Sequence, residues 1–167
     1  MSTNKIFFIC IAAFIWFGLL FGETRHRNYV WANEETLWQN VTVQSPNNGR
    51  AWMNYGLTQM NKGQYDAALV CFLKAHDKLD SYWPLETNLG IIYGQMGYPG
   101  FAEFRFKKAI ELASGEADPW FFYGRWLDSA GRKDEAKSAL MIAVGIRGKN
   151  HQEYPEAREL LAQINGK

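Results

Sequence analysis

Few side chains in this sequence could do chemistry. The histidines are His26, His76 and His151, the cysteines are Cys10 and Cys71, and Asn40, Val41 and Thr42 form one glycosylation sequon. Metal binding on a helix needs ligands three or four residues apart, so that they share a face, or thiols in a C-x2-C pattern. The three histidines are scattered, with neither the H-x3-H nor the C-x2-C spacing, so each is read as a surface or packing residue. Cys10 lies in an apolar run and Cys71 sits beside Phe72 in a helical pattern; two such sites do not meet in a disulfide. A small buried hydrophobe is the expected role of Cys71. The sequon falls inside an expected helix, and the glycines form no phosphate-cradling loop. The chain is therefore expected to have no catalytic residues, no metal, no cofactor and no small-molecule substrate.

The elements that would carry these residues begin with a hydrophobic segment. Residues 6–22, IFFICIAAFIWFGLLFG, hold no charge and follow Lys5. At about 1.5 Å per residue they cover most of a hydrocarbon core about 30 Å thick. A cleaved signal would end in small residues, whereas this run ends in Leu19, Leu20, Phe21 and Gly22; bulky Phe7, Phe8 and Ile9 precede Cys10, against a lipid-modified cysteine. A retained single-pass anchor is expected, with cleavage and secretion as the alternative. Lys5 on one side and Arg25 with Arg27 on the other leave the charge rule nearly silent on orientation. Trp16, Trp31 and Trp38 fit either an interfacial belt or a helical core. The remainder of the 167 residues, 47% apolar and 16% aromatic overall, suffices for one folded domain. Eighteen lysines and arginines against 17 aspartates and glutamates leave no basic stripe for nucleic acid.

The strongest pattern is a repeat of 34 residues. Gly56, Gly90 and Gly124 are separated by it, as are Gly63, Gly97 and Gly131, Ala68, Ala102 and Ala136, and Ala75, Ala109 and Ala143. Around them stand Trp52, Tyr55 and Gly56; Leu89, Gly90 and Tyr93; and Trp120, Tyr123, Gly124 and Leu127. Ala68 is followed by Phe72, Ala102 by Phe106, and Ala136 by Leu140. This pattern resembles the tetratricopeptide repeat, a helix-turn-helix unit with the signature W-x2-L-G-x2-Y and then A-x3-F. The resemblance implies an all-α solenoid of three full repeats with helices at 48–61, 64–79, 82–95, 100–112, 118–130 and 133–144. Pro46 and the spacing of Leu37, Trp38 and Val41 predict a leading half-repeat helix over 31–44. Pro155 to Ile164 reads as an amphipathic capping helix. The divisions expected are 1–27 for tip, anchor and flank, 28–47 for the half-repeat, and 48–167 for the repeats and cap.

The junction from Thr24 to Trp38 has the skeleton T-x-x-R-N-x-x-W-x-x-E-x-x-L-W. It resembles the passage from the last membrane helix to the repeats in polytopic mannosyltransferase-like membrane proteins. That resemblance implies repeats facing the periplasm or an equivalent lumen, from an inner-membrane anchor. It covers only the carboxy-terminal end of such proteins, so their activity does not carry over.

Function is expected on the concave groove that the first helix of each repeat lines in such solenoids. Here that set is Met53, Leu57, Met60, Asn61, Asn88, Ile91, Gln95, Phe121, Arg125 and Asp128. Repeat proteins that bind chaperone tails share a two-carboxylate clamp; at its five positions this sequence has Met53, Leu57, Asn88, Asp118 and Phe122, which disfavours that ligand. A methionine-rich apolar strip suits an amphipathic helix or hydrophobic peptide, or else packs within the solenoid. The expected function is a membrane-anchored scaffold for a protein or peptide partner, itself membrane-associated, in an envelope assembly. The alternative is an accessory or split subunit of a membrane glycosyltransferase.

Overall fold

The computed structural model describes residues 3–146 and 154–166, with side chains in the first helix from Phe14 onward, Leu19 and His26 excepted. The described residues form α1 (Thr3–Val30), α2 (Glu34–Gln44), α3 (Gly49–Asn61), α4 (Tyr65–His76), α5 (Trp83–Gln95), α6 (Pro99–Leu112), α7 (Ala117–Ser129), α8 (Lys133–Gly145) and α9 (Pro155–Asn165). Among them there is no strand. The pairs α3 with α4, α5 with α6 and α7 with α8 pack as hairpins; α4 meets α5, α6 meets α7, and α5 also touches α7. Helix α2 packs on α3, and α9 covers α8 and the edge of α7. His151 lies outside the described residues.

The repeating small residues set this geometry by letting helices approach. A Cβ on Gly56 would stand 2.6 Å from the Phe72 ring, one on Gly90 2.9 Å from the Phe106 ring, and one on Gly124 2.9 Å from Leu140. Each crossing thus has a glycine on the first helix and a large apolar side chain on the second. The alanines at 68, 75, 102, 109, 136 and 143 are fully buried on the second helices. Between the two helices of each pair, Gly63, Gly97 and Gly131 adopt φ of 74°, 80° and 76°. A side chain there costs about 1–2 kcal/mol, so the turn requires glycine.

Several expected boundaries move by a residue, those at 31 and 79 by three. The half-repeat helix starts at Glu34 rather than residue 31, because Asn33 caps it: its side chain accepts from the Thr36 N–H at 2.9 Å, and Trp31 and Ala32 turn. Helix α3 begins after Asn48, which caps it by accepting from the Ala51 N–H at 3.1 Å. Helix α4 stops at His76, three residues short of Leu79. Leu79 leaves the helix to pack over Gly49, whose absent Cβ would stand 2.6 Å from the Leu79 Cγ.

The apolar run 6–22 lies within α1. Among the described residues no helix is long and apolar enough to cross a membrane. The described side chains of α1 begin at Phe14, so the transmembrane span expected over 6–22 falls largely outside them. Those that are described, Phe14, Ile15, Trp16, Phe17, Leu20 and Phe21, are all exposed. Trp31 is exposed as well, while Trp38 is half-buried on α2.

The seams between successive repeats alternate in chemistry. Positions 35, 69 and 103 are one repeat apart and hold Glu, Leu and Glu. Glu35 on α2 accepts from Gln59 at 3.1 Å and pairs with Lys62 of the next unit. Glu103 on α6 accepts from the Tyr123 hydroxyl at 3.2 Å and from Arg132 at 2.7 Å, with Lys107 at 2.8 Å. In the middle seam Leu69 and Met96 instead join an apolar cluster around Phe72, Leu85, Leu89 and Ile92. A second cluster, around Phe106, Leu127 and Leu140, extends to Ala157 and Ile164 of the cap.

The Glu103 seam has a pH signature. Hydrogen bonds from Arg132 first, then from Lys107 and Tyr123, hold its carboxyl down at about 2 from the ordinary 4.5. A depressed carboxyl stabilises the fold fully above the unfolded value, and that stabilisation disappears as pH falls through the folded value. Unfolding titrated by urea between pH 5 and about pH 2 should show stability dropping across the window, with a flatter profile in Glu103→Gln.

Candidate functional site

The first helices α3, α5 and α7 carry the expected groove residues, but the structure divides them. Met53 and Phe121 are buried in the two apolar clusters, so they serve packing first. Leu57, Met60 and Ile91 are half-buried against those clusters. Asn88 and Asp128 are half-buried, while Asn61, Gln95 and Arg125 are exposed. The apolar strip of the first repeat is therefore mostly core, and the accessible polar positions cluster toward α5 and α7.

Three of the expected residues, Ile91, Gln95 and Arg125, line one recess of about 110 Å³ between α5 and α7. Its floor is Phe106, Phe122 and Trp126; Ser129 completes the rim. Trp126 fits there because α5 has a glycine opposite. A Cβ on Gly94 would stand 2.8 Å from the Trp126 Cδ1 and 2.9 Å from its Nε1. The indole is also stacked on Tyr123, with centroids 6.0 Å apart, and tilted on Phe106 at 5.7 Å. These contacts fix one wall.

The Arg125 guanidinium lies over the Phe122 ring at 5.0 Å and over Phe121 at 5.7 Å. Among the described residues it has no carboxylate partner. Aromatic faces orient a guanidinium while leaving its N–H donors free. Asp118, about two helical turns upstream, is occupied: the Tyr154 hydroxyl donates to it at 2.6 Å, and burial together with this bond pushes the phenol well above its ordinary value. The rim thus offers donors beside an apolar floor. Sequence reasoning missed Phe106, Phe122, Trp126 and Ser129 as members; the i, i+3, i+4, i+7 series Phe122, Arg125, Trp126 and Ser129 was the signal on one helix face.

The residues weighed for chemistry behave differently. Cys71 is buried, and burial pushes its thiol up, away from reactivity. His76 meets Glu86 at 3.2 Å and Arg105 at 3.3 Å, in an interhelical cluster rather than a cleft. Thr42 of the sequon is buried and donates to the Gln39 carbonyl within α2. Among the described residues no three of His, Cys, Asp and Glu are grouped to hold a metal.

The tetratricopeptide repeat family model matches residues 49–75. Protein O-mannosyl-transferase TMTC3 of Mus musculus is 24% identical over 97% of this chain, which covers 19% of that protein. Among solved structures, the thermophilic repeat protein TTC0263 of Thermus thermophilus aligns with a TM-score of 0.68 at 20% identity, over 78% of this chain and 70% of that one. The first repeat domain of Spaghetti (RPAP3), bound to the HSP90 peptide SRMEEVD, aligns with a TM-score of 0.61 at 20% identity, over 71% of this chain and 91% of that one. Residues 49–75 thus match the tetratricopeptide repeat, and the hairpins α3–α4, α5–α6 and α7–α8 share the fold of the solved repeat proteins.

Proposed function

We propose that this chain is a binding scaffold that receives a segment of a protein or peptide partner on the face formed by α3, α5 and α7. The observation that carries this reading is the α5/α7 recess, where an apolar floor lies beside an Arg125 guanidinium that has no carboxylate partner among the described residues. Solenoids of this kind present such a surface to extended or helical ligands. Photocrosslinking residues placed at Gln95 and Asn61, both exposed, test it in cells. One specific adduct from either site supports the scaffold. Adducts from the outer face at Phe104, with none from these two, count against it.

We further propose that residues 6–22 hold the scaffold at a membrane with the repeats on the extracytoplasmic side, so that capture raises the partner's local concentration there. The uncharged run and the exposed Phe14, Trp16, Phe17 and Phe21 support this. The full chain should stay in the pellet after carbonate extraction, and a variant with Ile15→Lys and Leu20→Lys should be released. Full release of the unaltered chain would remove the anchor.

A second reading rests on the likeness to an O-mannosyl-transferase, which runs across 97% of this chain, the Thr24–Trp38 junction included. In that reading the chain is an accessory subunit of a membrane glycosyltransferase. It predicts co-purification with a many-helix membrane partner and altered glycosylation when the chain is deleted.

A further inference from the structure

The leading unit is half a hairpin, and the repeat register says which half is missing. Trp38 and Val41 stand one repeat before Phe72 and Ala75. In the three complete units the equivalent side chains, Phe72, Phe106 and Leu140 with Ala75, Ala109 and Ala143, are fully buried. Trp38 and Val41 are only half-buried, and so is Leu37 beside them. Gly22 likewise stands one repeat before Gly56, at the place of the crossing glycine, yet a Cβ on it would meet nothing within 4 Å. Helix α1 runs on to Val30 and meets α2 at its end, where the Thr36 hydroxyl donates to the Val30 carbonyl at 2.9 Å. Phe14, Phe17 and Phe21 on its body stay exposed.

This hairpin does not close as the others do. Gly63, Gly97 and Gly131 make their turns at positive φ, but the residue one repeat earlier is Tyr29, which lies within α1. A residue with a Cβ is strained in that conformation. The far end of the stack shows the finished state, with Ala157 and Ile164 of α9 packed into the last apolar cluster. At the near end a crevice of about 280 Å³ runs along α2, lined by Leu37, Asn40, Val41 and Gln44 and, from α1, by Arg27, Val30 and Trp31. A helix is about 10–12 Å across with its side chains, so this crevice receives one face of a helix.

Two features set the chemistry of that helix. Close packing over Trp38 requires a small residue at the crossing, as a Cβ on Gly56 would stand 2.6 Å from the Phe72 ring. A helix antiparallel to α2, as in the hairpins, begins at the Gln44 end, where Arg27 also lines the crevice and has no ion pair among the described residues. An acidic first turn suits both that guanidinium and the positive end of the helix dipole.

We propose that α2 accepts an amphipathic helix from a second protein, with Gly or Ala at the crossing over Trp38 and Asp or Glu in its first turn, which completes the first hairpin from outside. This surface is separate from the groove on α3, α5 and α7 and rests on neither the groove nor the anchor.

The test uses the full chain in detergent micelles and a labelled synthetic peptide of residues 116–131, which carries Gly124 at the crossing and Asp118 in the first turn. Fluorescence polarisation should show saturable binding. It should weaken about ten-fold or more for the Gly124→Leu peptide and for the Val41→Lys chain, whose fold is checked by circular dichroism. Arg27→Glu, at an exposed position outside the core, should weaken it about two- to five-fold, and an Asp118→Lys peptide should recover that loss. Absence of binding, or equal binding of the Gly124→Leu peptide or by the Val41→Lys chain, overturns the proposal. An unaltered chain that sediments as a dimer, with Val41→Lys a monomer, overturns it in favour of a second copy as the occupant. Crosslinks from Gln95 and Asn61 that persist in Val41→Lys keep the groove reading apart from this result.

Discussion

Truncating Phe106 to alanine should lower the unfolding free energy by about 3–5 kcal/mol, measured by urea denaturation of the detergent-solubilised chain. The side chain is fully buried. It closes over Gly90, touches Tyr123 and Trp126 with centroids 6.0 and 5.7 Å away, and forms the floor of the recess. Removing the ring leaves a cavity that the neighbours cannot close, because α5 and α6 are already at glycine-limited separation. Phe104, two residues away and exposed on the outer face, is the control; its truncation should cost less than about 0.5 kcal/mol. If both variants lose the same small amount, the second repeat is not organised around Phe106.

The second large effect is expected at Glu86. Repeat arithmetic places this residue where Trp52 and Trp120 stand in the other two copies, and places Arg105 where Cys71 and Ala139 stand. Glu86 is nearly buried and bonds Arg105 at 2.9 Å, with His76 at 3.2 Å. Arg105 Nε is buried without an acceptor, so the pair is incompletely satisfied. Breaking such a buried pair from one side costs about 3–5 kcal/mol, whereas replacing both partners with well-packed apolar groups is often neutral or better. Arg105→Ala alone should therefore be strongly destabilising. Combined with Glu86→Trp, which restores the combination found in the third repeat, stability should return to within about 1 kcal/mol of the unaltered chain. A double variant as weak as the single one would show that equivalent positions are not equivalent in packing.

These two cases also show what the sequence makes legible and what it conceals. The hairpins could be read because Gly56, Gly90 and Gly124 and the alanines opposite act locally: a missing Cβ permits close approach whatever lies elsewhere. The end of α4 could not, since Leu79 departs from the helix to cover Gly49, at the far end of its own hairpin partner α3. The groove shows the same division. Met53 and Phe121 occupy the right helices at the right register, but which side of each helix is closed depends on the helix packed next to it. Periodicity names a face without saying whether another element covers it. Arg125 was identifiable from register; that it lacks a carboxylate partner among the described residues required the positions of Tyr154 and Asp118.

The alternation of seams has a mechanical consequence. Two of the three junctions, at Glu35 and at Glu103, add ion pairs that water can partly reach to their packing, while the middle one holds Leu69 and Met96 in an apolar cluster, with the His76–Glu86 contact at 3.2 Å beside it. Ion pairs open to solvent weaken as salt screens them, over a Debye length of about 8 Å at physiological ionic strength, while buried hydrocarbon is untouched by that screening. Under tension along its length, the stack then has a salt-tuned clasp on either side of a middle joint held mainly by buried hydrocarbon. Ionic strength sets how easily the two outer units swing, while the central pair of hairpins keeps its shape.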